Sequence, residues 1–288
     1  MKKIVDRFSV LRKIQKWYWQ KLNSWRFKRK LERLGRENKL PVLVYQMAKV
    51  GSRSVVQSFP TPKYPFAVHI HRLHAKGIDK KVADLRRMKL NVAGHYWQGK
   101  AVYQSVIKRH RPFKMITPVR EPIGRNLSFF FERFEYVVGM PFSESTHSVK
   151  ELTDIFLSNA SFLNRLSWFN DEFRVSLGVD IYEHPFPQDL GFKRIRCGNG
   201  EVLLLKIELE NEVIEKCIAD FLDEPGFELA KANTASSKEY AETYRLFCSQ
   251  VVLPATYINQ MLDSRYTKYF YTVEEIARLR EKWFQRLM

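Results

Sequence analysis

The segment Val42-Leu-Val-Tyr-Gln-Met-Ala-Lys-Val-Gly-Ser-Arg-Ser-Val55 constrains the fold of this chain more than any other stretch. Its short apolar run reads as a buried strand over 42–47, and at Lys49 it gives way to Gly51, Ser52, Arg53 and Ser54 before a helix opens. A strand, a tight turn and a helix start that gathers hydroxyls and cations make an anion cradle, because the first backbone N–H groups of a helix lack intrahelical acceptors. The GxxxxGK[ST] spacing of a Walker A loop is absent. Taken alone, the segment also fits an ordinary strand–turn–helix junction with a basic surface.

A second segment repeats the layout. Phe113-Lys-Met-Ile-Thr-Pro-Val-Arg120 reads as a buried strand that ends in an arginine. Glu121-Pro122 then opens a helix over 122–138 carrying Arg125, Ser128 and the run Phe129 to Phe131, with proline well placed in the first turn. Arg120 and Ser128 could converge on one phosphate, with Arg125 as an alternative anion ligand. The simpler reading makes Arg120 a structural ion-pair partner, Ser128 a packing hydroxyl, and Glu121 and Glu132 the partners of the arginines.

Elsewhere the pattern alternates strands and helices. Short strands are expected at 65–71 and 90–94 and helices at 52–59, 78–89 and 99–110. Strands at 191–196 and 201–207 flank Cys197-Gly-Asn-Gly200, where the Asn-Gly pair suggests a type I′ hairpin. A helix follows over 210–222, and Thr272 with Glu275 makes a capping box for a last helix reaching 287. Strands separated by helices imply an α/β fold with a mostly parallel central sheet covered on both faces. We expect a basic N-terminal helical extension over 1–40 and one α/β domain over 41–288. Residues 141–176 form a helical insertion that either shapes the substrate site as a lid or completes the core.

Charge narrows the partners. There are 49 Lys and Arg against 31 Asp and Glu, a formal charge of +18, so anionic partners are expected. Cys197, Cys217 and Cys248 are too few and scattered for a disulfide framework or zinc cluster. No run of about twenty apolar residues spans a bilayer, and no signal-peptide pattern opens the chain. In the extension, Ile4, Phe8, Leu11, Ile14, Trp17 and Tyr18 recur at helical spacing among Lys and Arg. Such a stripe packs on protein or rests on anionic lipid.

The two phosphate-competent segments resemble those of sulfotransferases that use 3'-phosphoadenosine 5'-phosphosulfate (PAPS). More closely, Tyr45-Gln-Met-Ala-Lys-Val-Gly-Ser52, Val119-Arg-Glu-Pro122, Gly178-Val-Asp-Ile-Tyr-Glu-His-Pro-Phe186 and the region from Lys238 to Tyr271 resemble bacterial capsular polysaccharide synthesis proteins, a similarity running from Pro41 to the C-terminus. The resemblance implies a P-loop-like sulfotransferase fold. It implies that Lys49, Gly51, Ser52, Arg53 and Ser54 hold the 5'-phosphosulfate, with Lys49 at the leaving phosphate, and that Arg120 and Ser128 hold the 3'-phosphate. A late polar loop, with Asn233, Ser236, Ser237 and Lys238, would fold over the nucleotide. Glu208, at the end of a late core strand, is expected to be structural.

The resemblance further implies transfer of a sulfuryl group from PAPS to a carbohydrate hydroxyl, leaving 3'-phosphoadenosine 5'-phosphate (PAP), without a metal. The acceptor would be a capsular or surface glycan. The scattered thiols and the missing signal pattern fit a cytoplasmic location, and the basic extension either packs on the protein or makes peripheral contact at the inner face of the bacterial membrane. An imidazole suits the acceptor proton. His71 is preferred as base and His69 is its neighbour on the same face; His95 and His184 are alternatives, with Glu132 and Glu183 as carboxylates in reserve. The rival readings are another nucleotide-dependent P-loop-like enzyme and a basic nucleic-acid-binding protein. The former lacks a Gly-Lys-Ser/Thr loop and the latter any recognised reading motif, so nucleic acid is not the expected partner.

Overall fold

The computed structural model describes residues 22–87, 92–231 and 240–284. The expectations placed on 1–21, on 88–91, on Asn233, Ser236, Ser237 and Lys238, and on 285–288 lie outside the described residues.

The described residues form a five-stranded sheet from β1 (Val42–Tyr45), β2 (Ala67–Ile70), β3 (Phe113–Val119), β4 (Phe192–Cys197) and β5 (Gly200–Lys206), ordered β2-β1-β3-β5-β4. The β1–β2, β1–β3 and β3–β5 pairs are parallel, and β4 closes the edge antiparallel to β5. This is the α/β architecture with a mostly parallel sheet that the alternating pattern predicts. Both faces are covered because strand side chains alternate. Leu43 and Tyr45 join Met115, Val202 and Leu204 in one core, while Val42 and Val44 join Ile116, Leu203 and Leu205 in another. The helix Asn211–Leu222 seals the latter with Ile214, Ile218 and Phe221.

The strand order places a topological switch beside β1. The chain leaves β1 for β2 on one side and returns to β3 on the other. The two crossovers diverge there, and the carboxyl ends of β1 and β3 at such a switch are the usual ligand position in open α/β sheets.

A third core lies beyond β3. Phe130, Phe131 and Phe134 pack there with Phe156 and Phe247. The helix expected over 122–138 is two helices, Pro122–Glu132 and Phe134–Val138, because the chain bends at Arg133 (φ −109°). The bend brings Phe134 to 6.0 Å from Phe130 and 6.1 Å from Phe131, ring centre to ring centre. Residues 141–176 contribute to two cores: Leu152, Phe156 and Leu163 to the phenylalanine cluster, and Trp168, Phe169 and Phe173 to the sheet face bearing Tyr45.

Several local expectations change. Gly94 does not end a strand but opens the helix Gly94–Val102, which continues as a π-helical turn over Tyr103–Ile107, so the helix expected from 99 starts earlier. Gly99 explains its position: a Cβ there would lie 2.0 Å from the backbone oxygen of Arg72, so only glycine lets this helix press on the chain leaving β2. The hairpin turn is Gly198-Asn199, not Asn199-Gly200, since Cys197 pairs with Gly200. Gly198 has φ +57° and Asn199 does not have a positive φ, the pattern of a type II′ turn rather than I′. The Thr272–Glu275 capping box forms as expected, with Thr272 N donating to Glu275 Oε2 at 2.9 Å and Glu275 N to Thr272 Oγ1 at 3.2 Å.

Candidate functional site

The first strand delivers its loop to the switch point. Lys49 (φ +70°) and Gly51 (φ +75°) both adopt the left-handed conformation, which strains a lysine and suits a glycine. A Cβ on Gly51 would also come within 2.8 Å of Ile207 Cδ1. The helix that follows is short, Arg53–Gln57, and its cap residue Ser52 makes no side-chain bond to the helix backbone.

Two arginines tie this loop to the start of the next helix. Arg120 Nη1 donates to the Lys49 carbonyl at 3.3 Å, and Arg125 Nε donates to the Ala48 carbonyl at 2.9 Å. Arg120 is itself held by Tyr266, whose hydroxyl donates to the Arg120 carbonyl at 2.8 Å and accepts from its N–H at 3.2 Å. Arg125 is buried and donates through Nη1 to Leu163 O at 2.6 Å and Asn126 Oδ1 at 2.7 Å. Its Nη2 has no hydrogen-bond partner, and burial, followed by the like charge of Arg165, pulls its pKa down to about 9. Arg125 is therefore a structural clamp, with no face open to a ligand.

Neither Arg120 nor Arg125 takes Glu121 as a hydrogen-bonded partner. The Glu121 carboxylate caps its own helix, accepting from Ile123 N at 2.9 Å and Gly124 N at 2.7 Å. Burial raises its pKa, with Arg120 opposing. That helix end is thus already capped by its own carboxyl group, and Ser128, further along the helix, is half-exposed. Glu208 has the structural position expected of it: it accepts from Glu121 N at 2.8 Å and from the Tyr271 hydroxyl at 3.2 Å.

The Lys49 side chain turns to the far end of the helix Pro122–Glu132, where its Nζ lies 3.2 Å from Glu132 Oε2. The Tyr240 hydroxyl donates to the same oxygen at 3.0 Å. Arg53 is exposed, Ser54 Oγ turns back toward Gly51 O at 3.4 Å, and Ser52 is buried. The Ser52 hydroxyl meets the Gln46 amide and lies 3.3 Å from His69 Nε2, which the same amide approaches at 2.8 Å. The loop and β2 are thereby joined through a serine–glutamine–histidine contact.

Three histidines continue from that contact. The ring of His69 is 4.5 Å from His71, and His71 is 5.2 Å from His95. His71 Nδ1 lies 3.0 Å from the Gln46 carbonyl, which can only accept, so Nδ1 carries the proton and Nε2 is the bare nitrogen. Burial lowers the pKa of all three; His71, next to His69, falls to about 3 and His95 to about 4. His184 follows the turn Ile181–Glu183, and both that turn and His184 are held by the Tyr269 hydroxyl, which donates to Ile181 O and His184 O at 2.6 Å each.

Sequence reasoning missed Glu172. This buried carboxylate accepts through Oε1 from Tyr45 Oη at 2.9 Å, Leu73 N at 2.7 Å, His74 N at 3.2 Å and Ser176 Oγ at 3.2 Å. Its other oxygen pairs with Arg72 at 3.3 Å. It locks the turn leaving β2 and, through it, the histidines. Its sequence signal was slight, an acid inside an aromatic stretch with its partners about 100 and 127 residues away. Lys206 is similar, a buried lysine 2.6 Å from Glu275.

Two depressions, of about 590 and 670 Å³, lie elsewhere. The first is lined by Phe113, Lys114 and Gly200 at the opposite, amino ends of β3 and β5, and the second by residues around Tyr271 and Val273.

Among known proteins, the family described as "NKWYS: Putative capsular polysaccharide synthesis protein" matches residues 144–272. The match is shorter than the similarity expected from Pro41 onward. It includes Glu172, Glu208, Tyr266 and Tyr271 but not the Lys49 loop, Arg120 or Ser128. No curated protein and no solved structure matches the chain. No helix among the described residues is long and apolar enough to cross a membrane.

Proposed function

We propose that this protein transfers a sulfuryl group from PAPS to a carbohydrate hydroxyl in the synthesis of a bacterial capsular or surface glycan. One observation carries the donor half of this reading. The two phosphate-competent segments meet at the carboxyl ends of adjacent parallel strands, where Arg120 is bonded to the backbone of Lys49. A nucleotide with phosphates at both 5' and 3' positions asks for two neighbouring anion sites of this kind. The glycan half rests on the matched family description.

The donor set fits such a nucleotide. Lys49 and the first N–H groups of the helix Arg53–Gln57 suit the 5'-phosphosulfate, while Arg120 and Ser128 suit the 3'-phosphate. The proposed role of Lys49 is to neutralise the bridging oxygen as its bond to sulfur breaks, exchanging Glu132 for the leaving phosphate. The acceptor oxygen forms the new bond to sulfur, and its proton passes to a base. That base is drawn from the histidine pair at the end of β2: His71 leaves its Nε2 bare, with its pKa lowered to about 3 by burial, and His69 adjoins Ser52 of the loop, with its Nε2 facing the Gln46 amide.

The exposed side chains of the amino-terminal region support a peripheral contact with an anionic membrane. Along residues 22–36, Trp25 is 53% exposed, and Arg26, Arg29, Arg33 and Arg36 are exposed with it. Anionic headgroups attract such a surface.

Calorimetric titration with PAP, ATP and a short RNA tests the donor reading. It expects saturable binding of PAP with clear preference over ATP. Equal binding of ATP and PAP would favour another nucleotide enzyme, and RNA alone would favour a nucleic-acid-binding protein.

A further inference from the structure

The arginine that follows β3 stands in a frame built by later parts of the chain. The Val119 carbonyl accepts from Ile207 N at 3.1 Å. The Arg120 N–H donates to the Tyr266 hydroxyl at 3.2 Å, and that hydroxyl donates to the Arg120 carbonyl at 2.8 Å. Glu121 N donates to Glu208 Oε1 at 2.8 Å. Both peptide groups that flank Arg120 are thus paired at N–H and C=O, with partners on residues 207, 208 and 266. Peptide groups paired in this way resist turning, so the direction in which the Arg120 side chain leaves the backbone is set before any ligand arrives.

The partners are held in turn. Tyr266 is buried, its ring centre 6.1 Å from Phe169 and 5.1 Å from Phe270. It lies on the short helix Arg265–Phe270, whose cap residue Ser264 accepts from Thr267 N at 3.2 Å. Glu208 accepts from the Tyr271 hydroxyl at 3.2 Å through each of its oxygens. None of these three side chains is a cation. Yet Tyr266, Glu208 and Tyr271 all fall within residues 144–272, the part matched to the polysaccharide-synthesis family, while Arg120 falls outside it. An arginine on an unconstrained backbone gives up freedom when it grips an anion, whereas a preset one gives up less and keeps more of the bond as affinity.

We propose that Tyr266 is a positioning residue which, with Glu208 and Tyr271 behind it, presets Arg120 for a 3'-phosphate and so sets the preference of the site for nucleotides phosphorylated there. This rests on the proposed donor reading and adds to it the residues that act through Arg120. The guanidinium they aim meets the Lys49 carbonyl, so the same frame also fixes the spacing between the two anion sites.

The test uses the full-length protein and the ratio of two affinities, for PAP and for adenosine 5'-phosphate, each measured by calorimetric titration. A purely structural weakening lowers both affinities together and leaves the ratio alone. Wild-type protein is expected to bind PAP at least about tenfold more tightly than adenosine 5'-phosphate. Tyr266→Phe keeps the ring and removes both bonds to Arg120, and should lower the ratio about fivefold. In an Arg120→Ala background the same change should alter the ratio by less than about twofold, because the group being aimed is gone. Tyr271→Phe, one contact further away, should lower the ratio about threefold and supplies the readout should Tyr266→Phe unfold. An unchanged ratio in the folded variant, an equal loss of both affinities, or an effect of Tyr266→Phe that persists in full without Arg120 would each overturn the inference while the donor reading stands. Equal wild-type affinity for the two nucleotides would instead remove the donor reading, and the inference with it.

Discussion

The Arg120 guanidinium donates to the backbone carbonyl of Lys49 across 3.3 Å, although 71 residues separate them in sequence. The two strands that end there are hydrogen-bonded neighbours, with Leu43 opposite Met115 and Val44 opposite Ile116. The loop after β1 and the arginine after β3 are consequently parts of one surface, and the predictions below test whether that surface binds a doubly phosphorylated nucleotide.

Arg120→Ala should weaken PAP binding by about 1.5–3 kcal/mol, and Ser128→Ala by about 1 kcal/mol, as befits a charged and a neutral hydrogen bond. Calorimetry measures both, with circular dichroism and thermal unfolding as controls because Arg120 also braces the loop. Wild-type affinity in two well-folded variants would misplace the 3'-phosphate site.

Lys49→Gln should lower donor turnover by at least about tenfold more than it lowers PAP affinity, because the proposed contact strengthens only as charge grows on the leaving oxygen. Stability should change by about 1 kcal/mol or less, since its partner Glu132 is 40% exposed and keeps water and Tyr240. Pre-steady-state transfer and calorimetry separate the effects. Equal losses in both would make Lys49 a simple binding residue.

Glu172→Ala should destabilise the fold by about 2–4 kcal/mol, because it strands Tyr45 Oη and Leu73 N in a buried site, while the partly exposed Arg72 loses its partner but keeps water. Denaturant unfolding gives the number. A loss below about 1 kcal/mol would mean that the turn leaving β2 is held by something else.

Stability should fall as pH drops from about 6.5 toward 3. The folded pKa of His71 is depressed, so between the two values the unfolded chain binds more protons and acid favours unfolding. Glu121 and Glu208, whose folded pKa values are raised, act in the opposite sense just above 4.5. The histidine share is therefore read as a difference: His71→Asn should flatten the slope of unfolding free energy against pH over this window. An unchanged slope would mean that His71 is not held neutral by its burial.

The sheet was legible because its strands are short apolar runs with cations or turns at their ends, and local pattern suffices for those. β1, β3 and the β4–β5 hairpin are where the pattern puts them, as are the Thr272–Glu275 cap and the side-by-side rings of His69 and His71. The break at Arg133 and the earlier start at Gly94 were not legible, because both are set by packing partners far along the chain: the phenylalanine cluster for one and the Arg72 backbone for the other. The same holds for Glu172 and Arg125. A buried charge announces itself only through its partners, and those come from other elements. Ser52 illustrates the reverse, a residue of the expected type whose hydroxyl turns inward to Gln46 and His69.

A crystal structure with PAP bound tests the central claim most directly. The account predicts the 5'-phosphate over residues 49–54, within hydrogen-bond distance of Lys49 Nζ released from Glu132, and the 3'-phosphate between Arg120 and Ser128. The ribose should span the Arg120–Lys49 contact that joins the two sites. A nucleotide seated elsewhere, or no nucleotide at the switch point at saturating concentration, would contradict it.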